Sequence, residues 1–133
     1  MIRVSRLDHV ALPVANMERS LAWYQRIFGL AHTFKKEWGT DPAFLCVGGT
    51  CLALLDTKGV PPPIVPVTQR HVCFRATLDD FGQSTDVLKR EGIPFTIDDH
   101  QVSQSLYFQD PDGHWIEITC YQPGREPGSS EVS

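Results

Sequence analysis

No stretch of this 133-residue chain approaches the ~20 apolar residues that a bilayer-spanning helix needs. Its opening, MIRVSRLDHV, has none of the hydrophobic core of a secretory leader. With both signals missing, the expected location is the cytoplasm, with no membrane partner. There is no basic run and no patch that interleaves basic and aromatic residues. Lys and Arg number 12 against 16 Asp and Glu, a net charge of −4. A phosphate backbone wants a basic surface, so no nucleic-acid partner is expected. Four cysteines are present, at 46, 51, 73 and 120, and none forms a C-x-x-C pair. That argues against a zinc knuckle or a thioredoxin-like site. All four stand in strand-like text and are expected to be reduced, buried, small hydrophobes.

What is present is ordinary globular material: 41% hydrophobic and 21% charged residues, enough for one domain with a sizeable core. Residues 7–14 read as a strand. Asn16 then caps a helix whose Met17, Leu21, Tyr24 and Phe28 share one face, and Gly29 ends it. Residues 31–38, 43–48 and 50–56 read as three further strands, the last two joined through Gly48-Gly49. The proline-rich segment KGVPPPIVPVTQ cannot be regular structure and reads as a stiff linker.

The second half repeats the plan. A strand over 71–77 leads to Thr77-Leu-Asp-Asp80, a helix start of the [ST]-x-x-[DE] kind, and Gly92 stops that helix. Strands follow near 94–100, 105–109 and 114–121, with Asp110-Pro-Asp-Gly113 as the last turn. His9 matches His71, Gly29 matches Gly92 and Gly49 matches Gly113, at offsets of 62, 63 and 64. The expected fold class is therefore α+β: two βαβββ modules forming a cupped, incomplete β-barrel with flanking helices. The domain spans 1–122, with repeat one at 5–57, the linker at 58–70 and repeat two at 71–122. A flexible tail is expected over 123–133.

Alignment of the last strands on Gly49 and Gly113 places Glu117 opposite Ala53 in the repeat. Strand side chains alternate between faces. If these strands line one cup, His9, His71 and Glu117 can converge there. Two histidines and one carboxylate with open coordination positions suit Fe(II), and Mn(II), Zn(II), Ni(II) or Co(II) can also be held. Glu117 stands inside the apolar run WIEIT, where a carboxylate either faces solvent or has a cation.

LDHVALPVANMERSLAWYQRIFGL and SLYFQDPDGHWIEI resemble the vicinal oxygen chelate superfamily, and the likeness covers residues 5 to 122. That group includes glyoxalase I, extradiol dioxygenases, fosfomycin-resistance enzymes, methylmalonyl-CoA epimerase and bleomycin-binding proteins. The resemblance carries the family's metal positions onto His9, His71 and Glu117. It implies a metal-dependent enzyme, a lyase or isomerase, a transferase or a dioxygenase, acting on a small oxygen-bearing substrate. The alternative it leaves is a metal-free protein that binds a drug or metabolite, as the bleomycin-resistance relatives do. Tyr107, ten residues before the carboxylate, matches a family tyrosine that orients or protonates a metal-bound oxygen. His100 is a candidate acid–base group beside it.

Departures narrow the choice. Glyoxalase I has a glutamate where this chain has Ala53. Fosfomycin thiol transferases have a threonine at Ala11, and a lysine and a serine that find Ile97 and Gln101 here, while Ser105 is retained. These differences count against fosfomycin as the substrate. The catalytic histidine of ring-cleaving dioxygenases has no counterpart near Thr50 and Cys51. Trp38, Phe44, Ala53, Cys73 and Ser105 are the expected lining of the substrate pocket. Two-module relatives often pair sheets across a dimer, so a homodimer is expected, with ligands from both chains as one arrangement.

Overall fold

The computed structural model describes residues 1–129. The chain divides into two compact units, Met1–Ile64 and a second from Val65 onward, with the division inside the proline-rich segment. The first unit contains β1 (His9–Val14), α1 (Met17–Phe28), β2 (Ala31–Thr33), a helical turn α2 (Lys35–Trp38), β3 (Ala43–Val47) and β4 (Thr50–Asp56). The second contains β5 (Val72–Arg75), α3 (Leu78–Arg90), β6 (Thr96–Asp99), β7 (Ser103–Gln109) and β8 (Trp115–Tyr121).

Each unit is a four-stranded mixed sheet, ordered β1-β4-β3-β2 in the first and β5-β8-β7-β6 in the second. In both, the first strand runs parallel to the last and the remaining pairs are antiparallel. The fold is α+β, and the duplication extends to register. Ala11 pairs with Ala53 in the first sheet, and Cys73 pairs with Glu117 in the second. Ala53 and Glu117 thus occupy equivalent positions, as the glycine alignment requires.

Local chemistry sets the element ends. The Asn16 side chain accepts from the Arg19 N–H at 3.0 Å, and Gly29 closes α1 in the left-handed conformation. The Thr77 hydroxyl accepts from the Asp80 N–H at 3.1 Å and opens α3. The Asp110 carboxylate accepts from the backbone N–H groups of Asp112 and His114, which fixes the turn into β8.

One face of each sheet is core. In the first unit Leu12, Val14, Leu45, Leu52 and Leu54 are buried, as are Trp23 and Tyr24 of α1. In the second, Leu106, Phe108, Ile116, Ile118 and Cys120 are buried with Phe81 and Leu88 of α3. Alternation leaves the opposite faces to different side chains: His9, Ala11, Phe44, Cys46, Cys51 and Ala53 in the first, and Cys73, Arg75, Ser105, Tyr107, Glu117 and Thr119 in the second.

Two expectations are corrected. The strand expected over 31–38 stops at Thr33. Phe34 takes a left-handed conformation (φ 60°), and Lys35–Trp38 then wind as a helical turn. Trp38 therefore stands on α2. The cysteines are not four reduced, buried thiols. Cys46 and Cys51 form a disulfide, Cys73 is exposed and Cys120 is buried. The Gly48-Gly49 turn is the physical reason for the link, because it sets Cys46 and Cys51 directly opposite each other on β3 and β4. In the segment expected as a flexible tail, hydrogen-bonded turns extend as far as Ser129, whose hydroxyl donates to the Gly124 carbonyl. Its last residues, 130–133, lie outside the described residues. Among the described residues no helix is long and apolar enough to cross a membrane.

Candidate functional site

Glu117, at the middle of β8, is only 8% exposed. A buried carboxylate needs compensation. The fully buried Ser105 hydroxyl, on the neighbouring β7, donates to Oε2. Ser105 is in turn 3.1 Å from the Thr119 hydroxyl, and Thr119 donates to the Gln104 carbonyl. Oε1 faces His71 Nε2 at 3.0 Å.

His71 shows what that second contact requires. Its Nδ1 stands 2.8 Å from the Val67 carbonyl, which only accepts, so Nδ1 carries the proton. In the neutral tautomer Nε2 then presents a lone pair to the Glu117 lone pair. Two acceptors at 3.0 Å are tolerable only with a cation or a second proton between them. A carbonyl on Nδ1, with Nε2 turned toward a carboxylate, is also an arrangement in which the second ring nitrogen can ligate a metal. The donor set therefore fits a divalent ion.

Tyr107 pairs directly with Glu117 across β7 and β8, and its ring lies 6.2 Å from that of His71. Burial raises its phenol above the ordinary value. The nearby Glu117 carboxylate adds to the rise, and a Ser105 hydrogen bond opposes it. The group remains a protonated donor at neutral pH. His100 Nε2 is 3.0 Å from the Tyr107 hydroxyl, so the structure brings these two side chains together. Cys73 is paired with Glu117 from the other side. The residue is exposed as a whole, yet desolvation pushes its thiol up to about 12, with the Glu117 charge and hydrogen bond contributing and Arg75 opposing. At neutral pH it is an inert thiol.

His9 belongs to the first unit. Its Nδ1 lies 2.7 Å from the Asp8 carboxylate, which again leaves Nε2 free to accept. The His9 ring is 5.0 Å from Phe44, and Phe44 is 4.8 Å from Trp38. Ala53, in register with both Ala11 and Phe44, brings no donor atom. The candidate residues thus fall into two groups: His71, Cys73, His100, Ser105, Tyr107 and Glu117 in one unit, and His9, Trp38, Phe44 and Ala53 in the other. Among the described residues, no three His, Cys, Asp or Glu side chains are gathered at one metal position. A cavity of about 220 Å³ in the second unit is lined by Leu78, Gln101, Gln104, Tyr121 and neighbours, not by Cys73 or Ser105.

Sequence reasoning missed four contributors. Asp8, adjacent to His9, was visible as a D-H pair. Thr119 was visible two residues beyond Glu117 on the same face. The Val67 carbonyl that orients His71, and Phe34, whose ring lies tilted 4.8 Å from that of Trp38, carry no sequence signal.

Residues 6–118 match the model of the Glyoxalase/Bleomycin resistance protein/Dioxygenase superfamily. Among curated relatives, the metallothiol transferase FosB of Lysinibacillus sphaericus is 30% identical over 119 residues, 86% of this chain and 82% of that protein. The glutathione transferase FosA of Serratia marcescens is 28% identical over 114 residues, 84% of this chain and 78% of that one. Among solved structures, a glyoxalase/dioxygenase from Nostoc punctiforme superposes with a TM-score of 0.74 at 25% identity, covering 88% of this chain and 91% of that one.

Proposed function

The chain belongs to the glyoxalase/bleomycin resistance/dioxygenase superfamily, and from that premise we propose that it is a metal-dependent enzyme acting on a small, oxygen-bearing substrate. The observation that carries the reading is the buried Glu117 carboxylate, whose Oε1 stands 3.0 Å from His71 Nε2 while His71 Nδ1 is held by the Val67 carbonyl. In this reading His9 joins His71 and Glu117 to hold one divalent ion: iron, manganese, zinc or nickel. The ion supplies Lewis acidity toward a substrate oxygen.

The remaining roles belong to the chain's own groups. Ser105 holds the Glu117 carboxylate in one orientation through its hydrogen bond to Oε2. Tyr107, kept protonated by burial and by Glu117, gives its proton to the reacting oxygen, and His100, 3.0 Å from the phenol oxygen, relays a replacement proton from solvent to it. Phe44, Trp38 and Ala53 offer an apolar surface in the first unit, and Cys73 a neutral thiol in the second. The names of the two curated relatives favour a transferase-type reaction here. The family resemblance implies threonine, lysine and serine in fosfomycin enzymes at the positions of Ala11, Ile97 and Gln101, and on that ground this reading takes a substrate other than fosfomycin. We place the working form as a homodimer in the cytoplasm.

Calorimetric titration of Mn(II) into metal-free protein tests the ligand set. One ion per chain is expected, with binding at least roughly tenfold weaker in His71→Ala and in Glu117→Gln. Unchanged affinity in both variants contradicts the assignment. A protein that takes up no divalent ion, yet binds a small molecule tightly, is instead a metal-free binding module.

A further inference from the structure

On the face of the first sheet opposite Leu12, Leu52 and Leu54, one row of side chains crosses three strands. His9 of β1 is in register with Cys51 of β4, and Cys51 with Cys46 of β3. Residues in register on adjacent strands share a face and stand roughly 4.5–5.5 Å apart. The row is anchored by backbone contacts. The Cys51 N–H donates to the Asp8 carbonyl at 2.9 Å, and the Thr50 hydroxyl donates to the Leu7 carbonyl at 3.2 Å. The imidazole is oriented as well, since the Asp8 carboxylate on Nδ1 leaves Nε2 as the acceptor. Both cysteines are half-buried, within reach of small reagents. As a disulfide, their sulfurs are tied to each other and ligate nothing.

We propose that reduction of the Cys46–Cys51 disulfide turns this row into a second metal site, with two thiolates and one imidazole, for a thiophilic d10 cation such as zinc. The reductant is a low-molecular-weight thiol. One R–SH attacks one sulfur of the disulfide, the S–S bond breaks, and the other cysteine leaves as a thiol. A second R–SH displaces the first from the mixed disulfide. The products are two cysteine thiols and R–S–S–R. The ion then binds with loss of the two thiol protons, and its fourth position stays open to solvent or substrate. Sulfur ligands select a softer ion than a set of imidazoles and a carboxylate does. The redox state of the hairpin thereby decides which ion His9 serves. In the oxidised chain His9 is free for the set proposed above, and in the reduced chain the two thiolates claim it. The site needs neither His71 nor Glu117, so it stands or falls separately from that set.

The test uses the full chain carrying His71→Ala and Glu117→Gln together, with Co(II) as the probe, in oxygen-free buffer. Reduction with a phosphine should give one cobalt per chain, seen as thiolate-to-cobalt charge-transfer absorption. The unreduced protein should give none. Addition of Cys46→Ser should abolish most of the absorption, and His9→Ala should weaken cobalt binding roughly 10- to 100-fold. Native far-UV circular dichroism in each variant keeps misfolding from imitating the loss. No charge-transfer absorption after reduction, or absorption that survives Cys46→Ser, overturns the proposal. So does a count of four free thiols rather than two in the protein as isolated. Mn(II) binding by the oxidised wild-type chain reports on the other ligand set independently.

Discussion

At the scale of single residues the account turns on how a buried carboxylate is satisfied. Ser105 is fully buried and supplies the donor to Glu117 Oε2. Ser105→Ala removes that donor and leaves the carboxylate oxygen desolvated. A loss of about 1–3 kcal/mol in urea unfolding is expected, together with weaker divalent-ion binding. Cys73 gives a pH prediction. Its thiol is raised from 9.0 to about 12, by burial first and by Glu117 second. The folded chain therefore holds this proton more tightly than the unfolded chain does. The associated stability is complete below pH 9.0 and is lost as pH rises toward about 12. The thiolate is the nucleophile, so alkylation of Cys73 by iodoacetamide should be slow at pH 8 and accelerate only at strongly alkaline pH. Glu117→Gln removes one of the raising causes and should speed the alkylation at a given pH. Equal rates in both proteins contradict the charge coupling.

At the scale of elements, the caps and turns were legible because their chemistry is local. Asn16, Thr77 and the Asp110 turn are each fixed by a hydrogen bond within three or four residues. Asn16→Ala and Thr77→Ala should each cost about 1 kcal/mol of stability in denaturant titrations. The helical turn at Lys35–Trp38 was not legible. Residues 35–38 show no periodicity, and the left-handed Phe34 that starts the turn is set by its contacts with Trp38 and Phe44 rather than by its neighbours in sequence. The disulfide was legible in principle. Cys46 and Cys51 are symmetric about Gly48-Gly49, so a two-residue turn there forces them opposite each other. C-x-x-C spacing does not register that symmetry. The double change Cys46→Ser with Cys51→Ser should cost about 2 kcal/mol, the low end for a disulfide, because the loop it closes is short and the hairpin is already paired.

At the scale of the whole molecule, the duplication was readable from three pairs of residues, and both sheets confirm it with the same strand order. The equivalence of Ala53 and Glu117 followed from glycine spacing alone and holds in the strand register. What spacing could not supply was which ring atom each histidine commits to its neighbour. The Nδ1 atoms of His9 and His71 are taken up by local partners, the adjacent Asp8 carboxylate and the Val67 carbonyl four residues upstream, and only the first of these carries a side-chain signal in the sequence. A homodimer should sediment at about twice the 14.9 kDa mass of the chain. A single-chain mass contradicts that expectation. The central claim, that the two matched histidines and Glu117 exist to hold a metal, is tested most directly by elemental analysis. Untagged wild-type protein and His71→Ala would be passed through metal-depleted buffer and measured by plasma mass spectrometry. The account predicts close to one divalent ion per wild-type chain and a marked loss in the variant. No metal in the wild-type protein, with none taken up on addition, would contradict it.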